Sequence, residues 1–174
     1  MTIGGFQKVS LIDFPGKIAA VIFTVGCNFK CGYCHNRELN CGEGADKISE
    51  GEILSFLEKR KGKLEGVVIT GGEPTLQKDL EIFIRKIKEM GYLVKLDTNG
   101  SNPQVIESLI RAELLDFIAM DIKAPFYKYQ KIANAKIIGL SIKKSIGLII
   151  NSKIKHEFRS TVVKNELRAE DLIL

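Results

Sequence analysis

The chain has 174 residues, 45% hydrophobic and 27% charged. That is enough to bury one core and excludes a disordered chain, but it falls short of the roughly 250 residues of a complete eight-unit (β/α) barrel. The formal charge of +5 comes from 26 Lys and Arg against 21 Asp and Glu, and with no Trp and no aromatic–basic interleaving it does not describe a nucleic-acid groove.

No basic leader opens the chain, and the longest apolar run, Ile18 to Val25, is too short to cross a bilayer. A cytoplasmic protein without a membrane partner is expected. Four cysteines in a reducing compartment point to metal or redox chemistry.

In chain order, Ile18 to Val25 reads as a first buried strand, and three cysteines follow it in a loop. Ser49 and Glu52 form a capping box for a helix through Ile53, Leu54 and Leu57. Gly66 to Thr70 is a second strand. Leu76, Leu80, Phe83, Ile84 and Ile87 keep helical spacing, with Gly91 as the stop. Tyr92 to Leu96 is a third strand. Asn102 and Pro103 read as N-cap and N1 of a helix carrying Val105, Ile106, Leu109 and Ile110. Phe117 to Met120 is a fourth strand, 141–151 a helix starting at Ser141, and Glu157 to Val163 a fifth strand. Arg168 to Leu174 begins one more helix. Repeated βα units describe an α/β fold, a partial, open (β/α) barrel of about five to six parallel strands, in a single domain over 1–174.

Ligands of such sheets sit beyond the carboxyl ends of the strands. Those ends here read Cys27-Asn28-Phe29-Lys30-Cys31, Gly71-Gly72-Glu73-Pro74, Asp97-Thr98-Asn99-Gly100 and Asp121-Ile122-Lys123. The unusual polar chemistry is therefore collected on one rim.

Cys27, Cys31 and Cys34 have the spacing C-x3-C-x2-C, so three thiolates can turn onto one small metal object. Thiolate-only ligation favours zinc or an iron–sulfur cluster. A four-iron cluster held by three cysteines keeps one iron without a protein ligand. Other readings remain: Cys31 to His35 satisfies the C-x-x-C-H pattern of haem attachment, and His35 could complete a Cys3His zinc site. Cys41 is left over, either a free thiol or a fourth ligand that would fill the open position.

The two glycines of Gly71-Gly72-Glu73-Pro74 permit close backbone approach, and Pro74 sets the turn into a helix. Asp97 and Asp121 end strands that otherwise read as buried, so each needs a partner: a salt bridge with Lys123, a ligand ammonium or a bound cation. Arg159 and Thr161 alternate on the fifth strand and are expected on one side. His156 reads as surface.

Taken together, these motifs resemble the radical SAM superfamily over nearly the whole chain. The run Gly5 to Lys17 (GFQKVSLIDFPGK) and Cys34-His35-Asn36 narrow the resemblance to the activating enzymes of glycyl radical enzymes, nearest to those of anaerobic ribonucleoside-triphosphate reductase. The resemblance implies an oxidoreductase that holds a 4Fe–4S cluster on Cys27, Cys31 and Cys34. S-adenosylmethionine would chelate the open iron, and one electron from a flavodoxin or ferredoxin would cleave its sulfonium bond. The deoxyadenosyl radical would take a hydrogen from a glycine of the partner, the large subunit of the anaerobic ribonucleotide reductase. It also implies that Gly71, Gly72, Glu73 and Pro74 meet the methionine amino group, with Asp97 near the same group and Lys123 on the carboxylate. Tyr33 would pack on adenine, Thr98 and Asn99 would stand with these contacts, and Arg159 would take a strand-five position. Asp97, Thr98 and Asp121 match the ligands of a monovalent cation. Longer members add a sixth strand with a further adenine contact beyond the position of Leu174, which implies either a chain truncated at its C-terminal end or a fold that closes differently. The alternatives are a radical SAM enzyme acting on another glycyl radical enzyme or a small molecule, and, outside enzymes, an iron–sulfur electron carrier or a zinc-stabilised module.

Overall fold

The computed structural model describes residues 1–41, 47–136 and 139–172. Its strands form one sheet in chain order: β1 (Ile3–Ser10), β2 (Ala19–Thr24), β3 (Gly66–Gly71), β4 (Leu93–Thr98), β5 (Phe117–Asp121) and β6 (Lys155–Arg159). β2 to β6 are parallel, as the βα alternation requires, and β1 joins β2 antiparallel at one edge. The helices are α1 (Arg37–Cys41), α2 (Glu50–Lys59), α3 (Leu80–Glu89), α4 (Pro103–Arg111), α5 (Phe126–Ala133) and α6 (Gly139–Asn151).

One face of the sheet presents Ile22, Ile69, Leu96 and Met120 to the helices, which return Leu57, Phe83, Ile87, Leu109 and Ile149. Among the described residues no helix contributes to the cluster on the other face. That face carries a smaller apolar cluster of Phe14, Val21, Val68, Phe117 and Ala119, and above it a charged layer from β4, β5 and β6. Two-residue periodicity alone sorts the side chains this way, and covering a single face is what an open barrel does. Among the described residues no helix is long and apolar enough to cross a membrane.

Local rules account for most boundaries. Ser49 Oγ accepts from Glu52 N at 3.1 Å and starts α2. Gly91, at φ +88°, ends α3. Pro103 stands at N1 of α4, but Asn102 turns its side chain to the Thr75 carbonyl, at 3.1 Å, instead of capping.

The structure departs from the sequence pattern in five places. Residues 3–10 form a strand that their own pattern does not announce. Gly4, Gly5, Gln7 and Lys8 obscure their alternation, and β1 is a half-covered edge whose pairing with β2 supplies the stability. α5 has no clear helical signature either, because it buries only Tyr129, Ile132 and Ala133 and carries lysines on its open side. Helix α3 starts at Leu80, and Leu76 lies in a separate 3-10 turn, Pro74–Leu76. β6 runs from Lys155 to Arg159 and stops short of Thr161 because it ends in step with β5, Asp121 opposite Arg159. In place of a helix from Arg168 there is a short 3-10 turn, Ala169–Leu172; residues 173 and 174 lie outside the described residues.

Candidate active site

The loop between β2 and α1 carries the three cysteines. Its backbone is tied at two points, Gly26 N to Leu39 O at 2.8 Å and Lys30 N to Ala133 O at 2.9 Å, so α1 and α5 hold its shape. Cys27, Cys31 and Cys34 all line one cavity of about 220 Å³. Burial pushes the Cys27 and Cys31 thiols up from their ordinary value, and the neighbouring cysteines push the same way; Lys123 opposes the rise at Cys31. Crowded, half-buried thiols of this kind are relieved when a metal takes the protons' place. Among the described residues no three His, Cys, Asp or Glu groups converge tightly enough to cage a single metal ion. The set fits an iron–sulfur cluster, in which each thiolate takes its own iron. His35 stands exposed at the cavity rim. The Cys41 side chain lies outside the described residues.

Gly71 and Gly72 form the opposite wall. Gly71 sits at φ +110°, and a Cβ there would strike the backbone of Thr24; a Cβ on Gly72 would strike that of Gly26. Both are glycine because the β3 loop presses directly on the β2 loop: Gly72 N donates to Thr24 O and Glu73 N to Gly26 O, each at 2.8 Å.

Glu73 behaves differently from its expected role. It is fully buried and away from the cavity wall, as is Pro74. Its carboxylate accepts from Thr75 N (3.1 Å), Thr75 Oγ1 (2.6 Å), Thr98 Oγ1 (2.7 Å) and Asn99 N (2.7 Å). Burial pushes its pKa up and those four donors pull it down. Glu73 is a brace between the β3 and β4 loops, with three donors on Oε1 and one on Oε2, and it does not line the cavity.

At the ends of β4, β5 and β6 three acids and three bases interlock. Arg159 donates from Nε to Asp121 Oδ1 at 2.9 Å and from a terminal nitrogen to Asp97 Oδ2 at 3.2 Å. Lys123 pairs with Asp121 Oδ2 at 3.0 Å and lies 6.0 Å from the centre of the Tyr33 ring. Beneath them Lys95 stands 3.2 Å from Asp97 and 3.6 Å from Glu157. Burial pushes the Asp97 carboxyl up, and Arg159 and then Lys95 pull it back. Two buried oxygens on this wall lack a hydrogen-bond partner among the described residues, Asp97 Oδ1 and Tyr33 Oη. Unmet polar atoms in a concave site are what a polar ligand satisfies.

The structure therefore brings Cys27, Cys31, Cys34, Tyr33, Gly71, Gly72, Asp97, Thr98, Asn99, Asp121, Lys123 and Arg159 to one cavity. Thr161 joins them although it lies beyond β6. The residues expected around a monovalent cation make contacts within the chain: the Arg159 guanidinium spans Asp97 and Asp121, and the Thr98 hydroxyl donates to Glu73. Lys95 was missed. Its only sequence signal is a lysine two positions before Asp97 inside an apolar strand.

A model of the radical SAM superfamily matches residues 21–172. A candidate glycyl-radical enzyme activating enzyme of Methanocaldococcus jannaschii is 41% identical over 98% of this chain, which spans 72% of that protein. The pyruvate formate-lyase-activating enzyme of Clostridium pasteurianum is 32% identical over 70% of this chain, which spans 52% of it. Among solved structures, Streptococcus suis SuiB bound to S-adenosylmethionine superposes with a TM-score of 0.69 at 19% identity, over 88% of this chain and 35% of that one. At that identity the likeness is one of fold.

Proposed function

The chain belongs to the radical SAM superfamily, and from that premise we propose that it activates a glycyl radical enzyme. Its partner in this reading is the large subunit of an anaerobic ribonucleoside-triphosphate reductase, and its electron donor a flavodoxin or ferredoxin. The observation that carries the reading is the meeting of three thiols with a wall of Asp97, Lys123 and Arg159 around one cavity. The relatedness to activating enzymes supports the choice of reaction. The run from Gly5 to Lys17 supports the choice of partner.

When bound, a 4Fe–4S cluster supplies the electron that breaks the sulfonium bond of S-adenosylmethionine and so begins hydrogen removal from the partner's glycine. The residues of the chain hold and orient. Cys27, Cys31 and Cys34 are the cluster ligands. The methionine head is a zwitterion and needs an acceptor and a donor at fixed separation. Asp97 Oδ1, which accepts no hydrogen bond among the described residues, is the acceptor, and Lys123 is the donor for the carboxylate. Gly71 and Gly72 keep the wall thin enough for close approach. Tyr33 offers a ring face for adenine. Around them Lys123 and Arg159 balance Asp97 and Asp121 in the wall, and Lys95 and Glu157 pair beneath it. Arg159 itself stands as a cation between Asp97 and Asp121, the two acids that match a monovalent-cation site.

The test is anaerobic reconstitution with iron and sulfide, followed by S-adenosylmethionine, dithionite and an assay for 5′-deoxyadenosine, with Cys31→Ala as control. Formation of deoxyadenosine only with the cysteine present is the expected result. Zinc in place of iron would overturn the reading. A purified anaerobic reductase, added last and examined by electron paramagnetic resonance, tests the partner separately.

A further inference from the structure

Lys95 precedes Asp97 by two residues on β4, so both side chains leave the strand on the face opposite the helices. Its side chain is only 3% exposed, one layer beneath the cavity and not part of its wall. Its ammonium donates to the Asp13 carbonyl at 2.6 Å, stands 3.2 Å from Asp97 Oδ1 and 3.6 Å from Glu157 Oε1, and lies 5.6 Å from the centre of the Phe117 ring. Burying an ammonium so completely is costly, and a methionine of similar length would fill the same space without the desolvation. The position calls for what methionine lacks, which is charge next to Asp97.

Asp97 is held from two sides. Arg159 reaches Oδ2 from β6, but it is half-exposed and shares itself with Asp121 and Glu157. Lys95 is packed in and approaches Oδ1 from below. That oxygen is buried and makes no hydrogen bond among the described residues despite its proximity to Lys95, so the contact is ionic and a lone pair is left unmet in a residue that lines the cavity. We propose that Lys95 is a positioning residue: it fixes the Asp97 carboxylate and its charge so that Oδ1 receives the ammonium of the methionine head. This rests on the assignment of Asp97 in the proposed function and adds the group that makes Asp97 fit for it. The bond to the Asp13 carbonyl also ties the loop between β1 and β2 to the same point, so a merely structural role for Lys95 has to be separated from the positioning one.

The test is equilibrium binding by calorimetry to the anaerobically reconstituted whole chain, with two ligands: S-adenosylmethionine and its analogue bearing a hydroxyl in place of the α-amino group. Lys95→Met is expected to weaken S-adenosylmethionine by about tenfold or more and to leave the amino-free analogue within about twofold. In an Asp97→Ala background the same substitution should add nothing. Equal losses for both ligands would show that Lys95 acts through the fold, and no loss for either would show that it does not act; each overturns the proposal. If the unsubstituted protein fails to prefer S-adenosylmethionine over the analogue, the role of Asp97 falls and this inference with it, a failure read before any lysine variant is made. Where circular dichroism shows Lys95→Met unfolded, Lys95→Gln, which keeps a donor for the Asp13 carbonyl, takes its place with the same expectations.

Discussion

The Glu73 carboxylate, after β3, accepts a 2.7 Å hydrogen bond from Thr98 Oγ1 at the end of β4. Another 2.7 Å bond, from Asn99 N to Glu73 Oε2, runs beside it. These bonds fasten one wall of the cavity to the next. A buried acceptor with four donors leaves no room for an amide. Glu73→Gln should lower stability by about 1–3 kcal/mol, because its NH2 group must face an existing donor. Thermal melting of the protein without cofactor checks this, and it separates a bracing role from a ligand contact, which would leave that melt unchanged.

Gly71 and Gly72 carry a steric prediction. A methyl at either position meets backbone, which cannot move aside as a side chain can. Gly71→Ala and Gly72→Ala should each cost on the order of 3 kcal/mol, whereas Gly51→Ala, whose Cβ meets nothing, should be neutral or slightly stabilising. Denaturant unfolding of the three variants distinguishes close approach from a general intolerance of change.

Arg159 separates two carboxylates. Arg159→Met should leave Asp97 and Asp121 facing each other and lower stability by about 1–2 kcal/mol, a figure kept small because the guanidinium is partly solvated. Potassium or sodium should then restore part of the loss in the variant and have little effect on the unsubstituted protein. Melting in tetramethylammonium against potassium buffers reads the difference. An equal potassium effect on both proteins would return the cation site to Asp97, Thr98 and Asp121.

Asp171 fastens the last described segment to α5. It accepts from Lys128 Nζ (2.6 Å), Arg168 N (2.7 Å) and the Tyr127 hydroxyl. These donors hold its carboxyl well below the usual carboxylate range. A depressed folded pKa means that the stabilisation is complete above the unfolded value, about 3.9, and is lost as pH falls through the folded one. Hydrogen exchange at the Arg168 amide should therefore be unaffected between pH 7 and about 5 once corrected for intrinsic rates, and protection should fall in stronger acid. Asp171→Asn should reproduce the loss at neutral pH.

Much of this protein is written locally. The parallel strands β2 to β5 are legible because they are short apolar runs bounded by turn residues, and α2, α3 and α4 because their apolar spacing is helical. The cysteine triad and the acids at the strand ends are legible because their residue types are rare in such positions. Three things needed the assembled sheet. β1 is a strand only because β2 lends it hydrogen bonds, so its own residues carry little pattern. Glu73 reads from sequence as a rim carboxylate, but the packing of the β2 and β3 loops turns it inward onto Thr98 and Asn99. Arg159 lies 62 residues from Asp97 and 38 from Asp121, and pairing of β6 with β5 brings it between them. Sequence alone determined which chemical groups are present and that they gather at one end of the strands, since that follows from periodicity. Tertiary structure decided which carboxylate is a brace, which keeps an unmet oxygen and which cation stands beside it. Those outcomes depend on distance and burial between segments far apart in the chain, and no local pattern encodes either.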